Sequence, residues 1–176
     1  MSVDGSKPKV GNAAAPPRIS YNRATLRDEL VRDEGLRLRV YRCTAGNLTI
    51  GVGRNLDDVG IRAHEAKELG IDKASVIAKG LTRNQAIFLL DSDIDVVEQQ
   101  LDHRLPWWRS LSDARQRVLL NMAFNLGIVG LLGFRNTLAF IKAGSFPAAA
   151  AGMRASLWAR QVGKRAERLA IMMVGG

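Results

Sequence analysis

Three side chains with chemistry to offer stand near the start of this 176-residue chain: Glu34, Cys43 after eight intervening residues, and Thr49 after five more. A carboxyl can deliver a proton to a leaving oxygen, while a thiol and a hydroxyl can hold or partly activate a water for attack. The same thiol could act as a nucleophile if a histidine served as its base, with His64 and His103 as the candidates. No Cys-Gly or Cys-Trp signature surrounds Cys43, and no third polar partner is evident. A reading without catalysis is also open. Lys164, Arg165 and Arg168 alternate with Leu169, Met172 and Met173, which suits a basic helix acting on membranes or a last helix docked on a core.

The elements that must position these groups follow from the hydrophobic pattern. Leu26, Leu30 and Val31 share one helical face between Tyr21 and Glu34, Thr25 with Asp28 suggests a capping-box-like start, and Gly35 suits the stop. Glu34 therefore sits in the last turn. Leu38, Val40 and Tyr41, a turn at 44–47, and the β-branched, glycine-rich run Leu48 to Gly53 read as a small twisted hairpin carrying Cys43 and Thr49. Arg62 to Leu69 reads as a short helix ending at Gly70. After about Leu81 the chain reads as all helix. Thr82 caps a helix running through Ala86, Leu90, Ile94, Val97 and Leu101, and Pro106 opens a new segment with Trp107 and Trp108. Ser112 and Asp113 open a nearly all-round apolar helix to Gly127, which belongs at the centre of a core. Shorter helices follow at 131–134, 137–143, 147–158 and 164–174.

These readings give an α+β arrangement. A small β-hairpin lobe spans about 35–80, and a larger helical lobe spans about 81–176 together with the first helix, 21–34, with a substrate cleft between the lobes. Residues 1–20 are small, polar and Pro-rich and read as a flexible tail ahead of one catalytic domain, 21–176. The tail has no apolar core of a signal peptide, and no later run approaches the ~18 apolar residues of a membrane span. The lone cysteine excludes an intrachain disulfide, and Cys43, His64 and His103 offer no clustered metal site. Neither a cofactor nor a metal is expected. The net charge of +9, from 26 Lys and Arg against 17 Asp and Glu, favours an anionic cell envelope as partner. Nucleic acid is not expected, since the basic residues are scattered and no nucleic-acid-binding motif is present.

The run from Arg32 to Gly53, with its Glu34-x8-Cys43-x5-Thr49 spacing and the strand Thr49-Ile50-Gly51-Val52-Gly53, resembles the catalytic segment of the phage T4-type lysozymes, a glycoside hydrolase family. That family shows Glu, then Asp or Cys, then Thr at this spacing, and this chain is similar to its cysteine variant. The resemblance runs from Tyr21 to the C-terminus. It takes in Leu119 to Gly127, Gly133 to Leu138, Ser156 to Gln161, and Lys164 to Arg168.

The resemblance implies a lysozyme-like fold and an endolysin. Such a muramidase hydrolyses the β-1,4 bond between N-acetylmuramic acid and N-acetylglucosamine in bacterial peptidoglycan and so lyses the host cell. Glu34 would be the general acid, and Cys43 and Thr49 would place or activate the water. Arg165 would face Glu34, and Phe124, Asn125, Asn136 and Thr137 would line the sugar cleft. A helix C-terminus disfavours a carboxylate and a facing arginine favours it, so two influences oppose each other at Glu34. The protein would be a monomer held in the host cytoplasm until a holin-type membrane pore releases it to the periplasmic peptidoglycan. Arg54 stands where the family often has a His, which implies the loss of a local His–carboxylate pair. Trp107 and Trp108 could stack on sugars but suit anchoring in the core better.

Overall fold

The computed structural model describes residues 20–176, so the expected N-terminal tail falls almost wholly outside the described residues. Helix α1 (Arg23–Glu34) leads into a three-stranded antiparallel sheet, β1 (Arg37–Arg42), β2 (Leu48–Gly51) and β3 (Arg54–Asn55), in the order β1-β2-β3. Two short helices follow, α2 (Ala63–Leu69) and α3 (Lys73–Lys79), then the long α4 (Arg83–Arg104) and a 3-10 turn at Pro106–Ser110. The remainder is helical: α5 (Asp113–Leu132), α6 (Arg135–Lys142), α7 (Phe146–Ala155), α8 (Leu157–Val162) and α9 (Lys164–Gly175). The α+β, lysozyme-like class read from the sequence is the class observed.

Two apolar cores explain the two lobes. The larger joins Leu26 and Leu30 of α1 to Leu90, Ile94 and Leu101 of α4, to Val118, Leu119 and Met122 of α5, and to Leu169 and Met173 of α9. The smaller lies under the sheet and gathers Ile50, Leu56, Val76, Leu81, Ala86 and Leu89. Helix α4 serves both, its first turns in the small core and the rest in the large one. Its N-terminus is fixed by a capping box, in which Gln85 N–H donates to Thr82 Oγ1 at 3.2 Å and Thr82 N–H to Gln85 Oε1 at 2.9 Å.

Local details depart from the sequence reading in explicable ways. The cap of α1 is Asn22, whose Oδ1 accepts from Thr25 N–H at 3.0 Å, so Thr25 lies inside the helix. Gly35 has φ +78°, but its ψ of 156° sends the chain straight into β1. Helix α3 was not foreseen. It is held by an Asp72 cap on Ser75 N–H at 2.7 Å and buries Val76. Helix α5 does break at Gly127 (φ 71°, ψ 163°) but resumes to Leu132, absorbing the first half of the separate 131–134 helix. The expected 147–158 helix ends at Ala155, where Ser156 caps a new one. Trp108 is fully buried, with Nε1 donating to Asp102 at 2.8 Å, which makes it an anchor. Among the described residues no single helix is long and apolar enough to cross a membrane.

Candidate active site

Glu34 ends α1 at the mouth of the sheet. Its Oε1 accepts from Arg165 Nη1 at 2.6 Å and, more loosely, from Asn125 Nδ2 at 3.5 Å. Its Oε2 has no hydrogen-bond partner among the described residues and faces Gly53, where a built Cβ would stand 3.6 Å away. Gly53 has φ +72°, so a left-handed glycine lets the β2–β3 turn approach the carboxyl.

Arg165 is buried at the start of α9 and is itself held in place. Its Nε donates to Asn121 Oδ1 at 2.8 Å and its Nη2 to the Asn121 carbonyl at 3.3 Å. Asn121 sits in the middle of the core helix α5, and its Nδ2 donates to Asp33 at 3.0 Å. Asp33, one residue before Glu34 and with its side chain only 3% exposed, also pairs with Arg168 and, at 3.5 Å, with Arg165. Adjacent carboxyls thus take different parts. Asp33 is tied down on both sides, while Glu34 keeps one oxygen free. The sequence reading missed Asp33, Asn121 and Arg168. The Asp33-Glu34 doublet and the Arg165/Arg168 spacing on one helix face were the available signals.

Cys43 and Thr49 come together across the β1–β2 hairpin, where Tyr41 pairs with Thr49 and Arg42 with Leu48. The turn is closed by Cys43 N–H on Asn47 O at 3.0 Å and Gly46 N–H on Cys43 O at 2.8 Å. Hydrogen bonds from the Ala45 backbone and the Thr49 hydroxyl hold the Cys43 thiol below the ordinary cysteine range. The single Thr49 proton has two acceptors, the Cys43 sulfur and the Asn47 carbonyl at 3.1 Å. Glu34 makes no hydrogen bond to Cys43 or Thr49. The acid and the thiol–hydroxyl pair are therefore separate groups, one at the end of α1 and the other on the hairpin that follows it. His64 bonds to Ser92 Oγ at 3.0 Å and His103 lies in the last turn of α4, so neither reaches Cys43 as a base.

A cleft of about 370 Å³ opens beside Gly53, with Phe124 and Gly127 on the α5 side and Arg54, Asn55, Arg62 and Asp93 on the small-lobe and α4 side. Phe124 thus lines the cleft. Asn125 links Glu34 to Trp158, whose Nε1 donates to Asn125 Oδ1 at 2.8 Å. Asn136 and Thr137 line a different depression, with Phe134 and Gly152, and Thr137 is buried against Gly152. Neither residue makes a hydrogen bond to Glu34, and α6 follows α5 at a bend of 106°.

Arg54 corrects the expectation of a lost pair. Its guanidinium is buried and all five N–H groups are used. Two go to Glu65 at 2.9 and 2.8 Å, one to Asp93 at 2.8 Å, and the others to the carbonyls of Gly60 at 3.1 Å and Leu89 at 2.9 Å. A fork with more donors than an imidazole clamps β3 to α2 and α4. Among the described residues no group of three His, Cys, Asp or Glu side chains is placed to hold a metal ion.

The phage lysozyme family profile matches residues 31–171. The chain belongs to the phage lysozyme family. With that family goes glycosidase chemistry, which the placement of Glu34 suits. This phage lysozyme family chain is 30% identical over 161 residues to the pre-baseplate central spike protein Gp5 of Enterobacteria phage T4, covering 86% of its own length and 28% of the spike protein's. It is 26% identical to a probable T4-type lysozyme 1 of Dictyostelium discoideum and 27% identical to a probable T4-type lysozyme 2 of the same organism, covering 83% of its own length and 91% of each.

Proposed function

We propose that this chain is a muramidase of the endolysin type, hydrolysing the β-1,4 bond between N-acetylmuramic acid and N-acetylglucosamine in peptidoglycan. The observation that carries this reading is the state of Glu34. Arg165 and Asn125 hold one oxygen, the other is unpartnered, and a cleft opens beside Gly53. The free Oε2 delivers the proton to the departing sugar oxygen. The Cys43 thiolate and Thr49 hydroxyl hold the water that attacks the anomeric carbon; the water's proton passes to the Cys43 sulfur and on to solvent, and Glu34 is left as the carboxylate that Arg165 stabilises until it takes up a proton again. Phe124 and Asn125 border the sugar chain.

In this reading the protein acts as a monomer, waits in the host cytoplasm, passes the inner membrane through a holin-type pore and lyses the cell by cutting the periplasmic wall. The 30% identity to part of a phage spike protein favours a second setting for the same chemistry, action from the virion. Copurification with virions would select that setting. A cysteine wall-peptide hydrolase is not favoured, since Cys43 lacks a histidine partner. Membrane disruption by α9 is not favoured either, since Leu169 and Met173 are fully buried.

The test is to incubate purified peptidoglycan with wild type and Glu34→Gln, counting new reducing ends and new free amines. Reducing ends from wild type alone are expected. Free amines, or full glycan cleavage by Glu34→Gln, would overturn the assignment.

A further inference from the structure

Segments 35–56 and 73–90 contain no Asp or Glu, and they carry Arg37, Arg39, Arg42, Arg54, Lys73, Lys79 and Arg83. Arg54 is buried in its clamp, Lys73 pairs with Asp57 at 3.2 Å, and Arg42 Nη1 donates to the Gly46 carbonyl at 2.7 Å. Arg37, Arg39, Lys79 and Arg83 are exposed, and among the described residues none pairs with a carboxylate. On the helical lobe Arg109, Arg117 and Arg154 are in ion pairs, while Arg104, Arg135, Lys142, Arg160 and Lys164 are exposed and none is in an ion pair among the described residues.

The two segments form one face. Leu81 N–H donates to the Leu38 carbonyl at 2.9 Å, joining the end of α3 to β1. The Arg39 stem lies over Gly80, with Cδ 2.9 Å from where a Cβ would be, so it crosses the end of α3. Two aliphatic side chains protrude from the same segments, Leu38 at 37% exposure and Ile77 at 46%. Cations around bare aliphatic groups match an interfacial membrane surface, where headgroups meet the charges and the apolar side chains enter the acyl boundary. Nucleic acid fits less well, since Arg37 already covers the Tyr41 ring at 4.6 Å and leaves no open aromatic platform on this face.

We propose that the β1–α3 face of the small lobe docks on anionic phospholipid, with Arg37, Arg39, Lys79 and Arg83 facing the headgroups and Leu38 and Ile77 inserted between them. This goes beyond the muramidase reading and does not depend on it. Docking would hold the protein at a membrane bordering its wall substrate, with the helical lobe turned away.

The experiment is flotation of the full chain with phosphatidylglycerol–phosphatidylcholine vesicles and with phosphatidylcholine alone. The variants are R37Q/R39Q/K79Q, L38S/I77S, and K142Q/R160Q/K164Q as an equal loss of charge on the helical lobe. Wild type should float with the anionic vesicles only. The small-lobe triple should lose at least about tenfold in partitioning, given the attraction of each basic residue near such a surface. L38S/I77S should also weaken binding, and the helical-lobe triple should stay close to wild type. Equal flotation of wild type and the small-lobe triple would overturn the proposal. So would equal losses in the two triples, which would reduce the effect to net charge, or binding to neutral vesicles. Reducing-end release from purified peptidoglycan, run on the same proteins, should be unchanged. A fall in step with flotation would assign the face to the wall polymer instead. Absence of reducing ends from wild type would count against the muramidase reading alone.

Discussion

Arg165 and Glu34 are 131 positions apart in sequence and 2.6 Å apart in space. One guanidinium joins the last turn of α1 to α9 and, through Asn121, to the core helix α5. The candidate acid is therefore placed by the packing of the large lobe, while the thiol and hydroxyl are placed by the hairpin. Both must be folded and apposed for the site to exist.

Arg165→Met should destabilise the protein strongly. It strips partners from Asn121, from Asp33 and from the half-buried Glu34. Breaking a buried pair from one side costs about 3–5 kcal/mol, and partial exposure of Glu34 moves the expectation toward the lower end. Thermal melting would show a fall of roughly 6–12 °C for a chain of this size. Arg165→Lys should lie between, because the charge stays and the fork is lost. An unchanged melting temperature in Arg165→Met would refute the structural part assigned to it.

Asp33→Asn and Glu34→Gln should fail in opposite ways. Asp33 is tied to Arg168, Arg165 and Asn121, so neutralising it should lower the melting temperature and spare most of the turnover. Gln at 34 can still accept from Arg165, so folding should be kept while turnover drops by about 10²–10⁴-fold, the usual worth of a general acid. Reducing-end rates and melting curves on both variants separate the two. A Glu34→Gln enzyme that merely melts early would contradict the assignment.

What could be read from the sequence depended on how local its cause was. Glu34 at the end of α1, and Cys43 facing Thr49 across the hairpin, could be placed from the sequence because one helix end and one hairpin set their positions within a short run. Gly127 and Gly70 marked breaks because glycine adopts the positive φ these sites need. The clamp around Arg54 was not legible, because its partners Glu65 and Asp93 arrive from α2 and α4. An Arg in a strand carries no sign that it will be buried with every donor used. The separate depression that Asn136 and Thr137 line was not legible for a related reason. Their neighbourhood depends on how the chain turns after Gly133, which no periodicity encodes.

Cys43 should alkylate faster than an ordinary thiol. With its pKa lowered by the Ala45 backbone and the Thr49 hydroxyl, more of it is thiolate at neutral pH. The iodoacetamide rate against pH should inflect at lower pH than that of an ordinary cysteine. Thr49→Val removes one of the two main donors and should move the inflection up. Alkylation should also stop turnover by filling the water site, whereas Cys43→Asp should remain active. Full activity of the alkylated protein would exclude Cys43 from the mechanism.

Acid should expose the Arg54 clamp through Glu65. Burial pushes this carboxyl up, but hydrogen bonds from Arg54, Ser92 and the Arg62 backbone outweigh it and bring its pKa down to about 2. A carboxyl whose pKa is lower in the folded state stabilises the fold above its unfolded value and loses that contribution as pH falls through the folded value. The window thus runs from just above the ordinary glutamate pKa down to about 2. The contribution is ~3 kcal/mol at most. Burial outweighs Arg54 and Arg62 at Asp93 and pushes its pKa up, so Asp93 works in the opposite sense and does not steepen the acid limb. Urea denaturation at pH steps across this window should show wild type losing stability toward acid. Glu65→Gln should be weaker at pH 7 but flatter with pH, because it has no proton to gain. Parallel curves for the two proteins would place the acid sensitivity elsewhere.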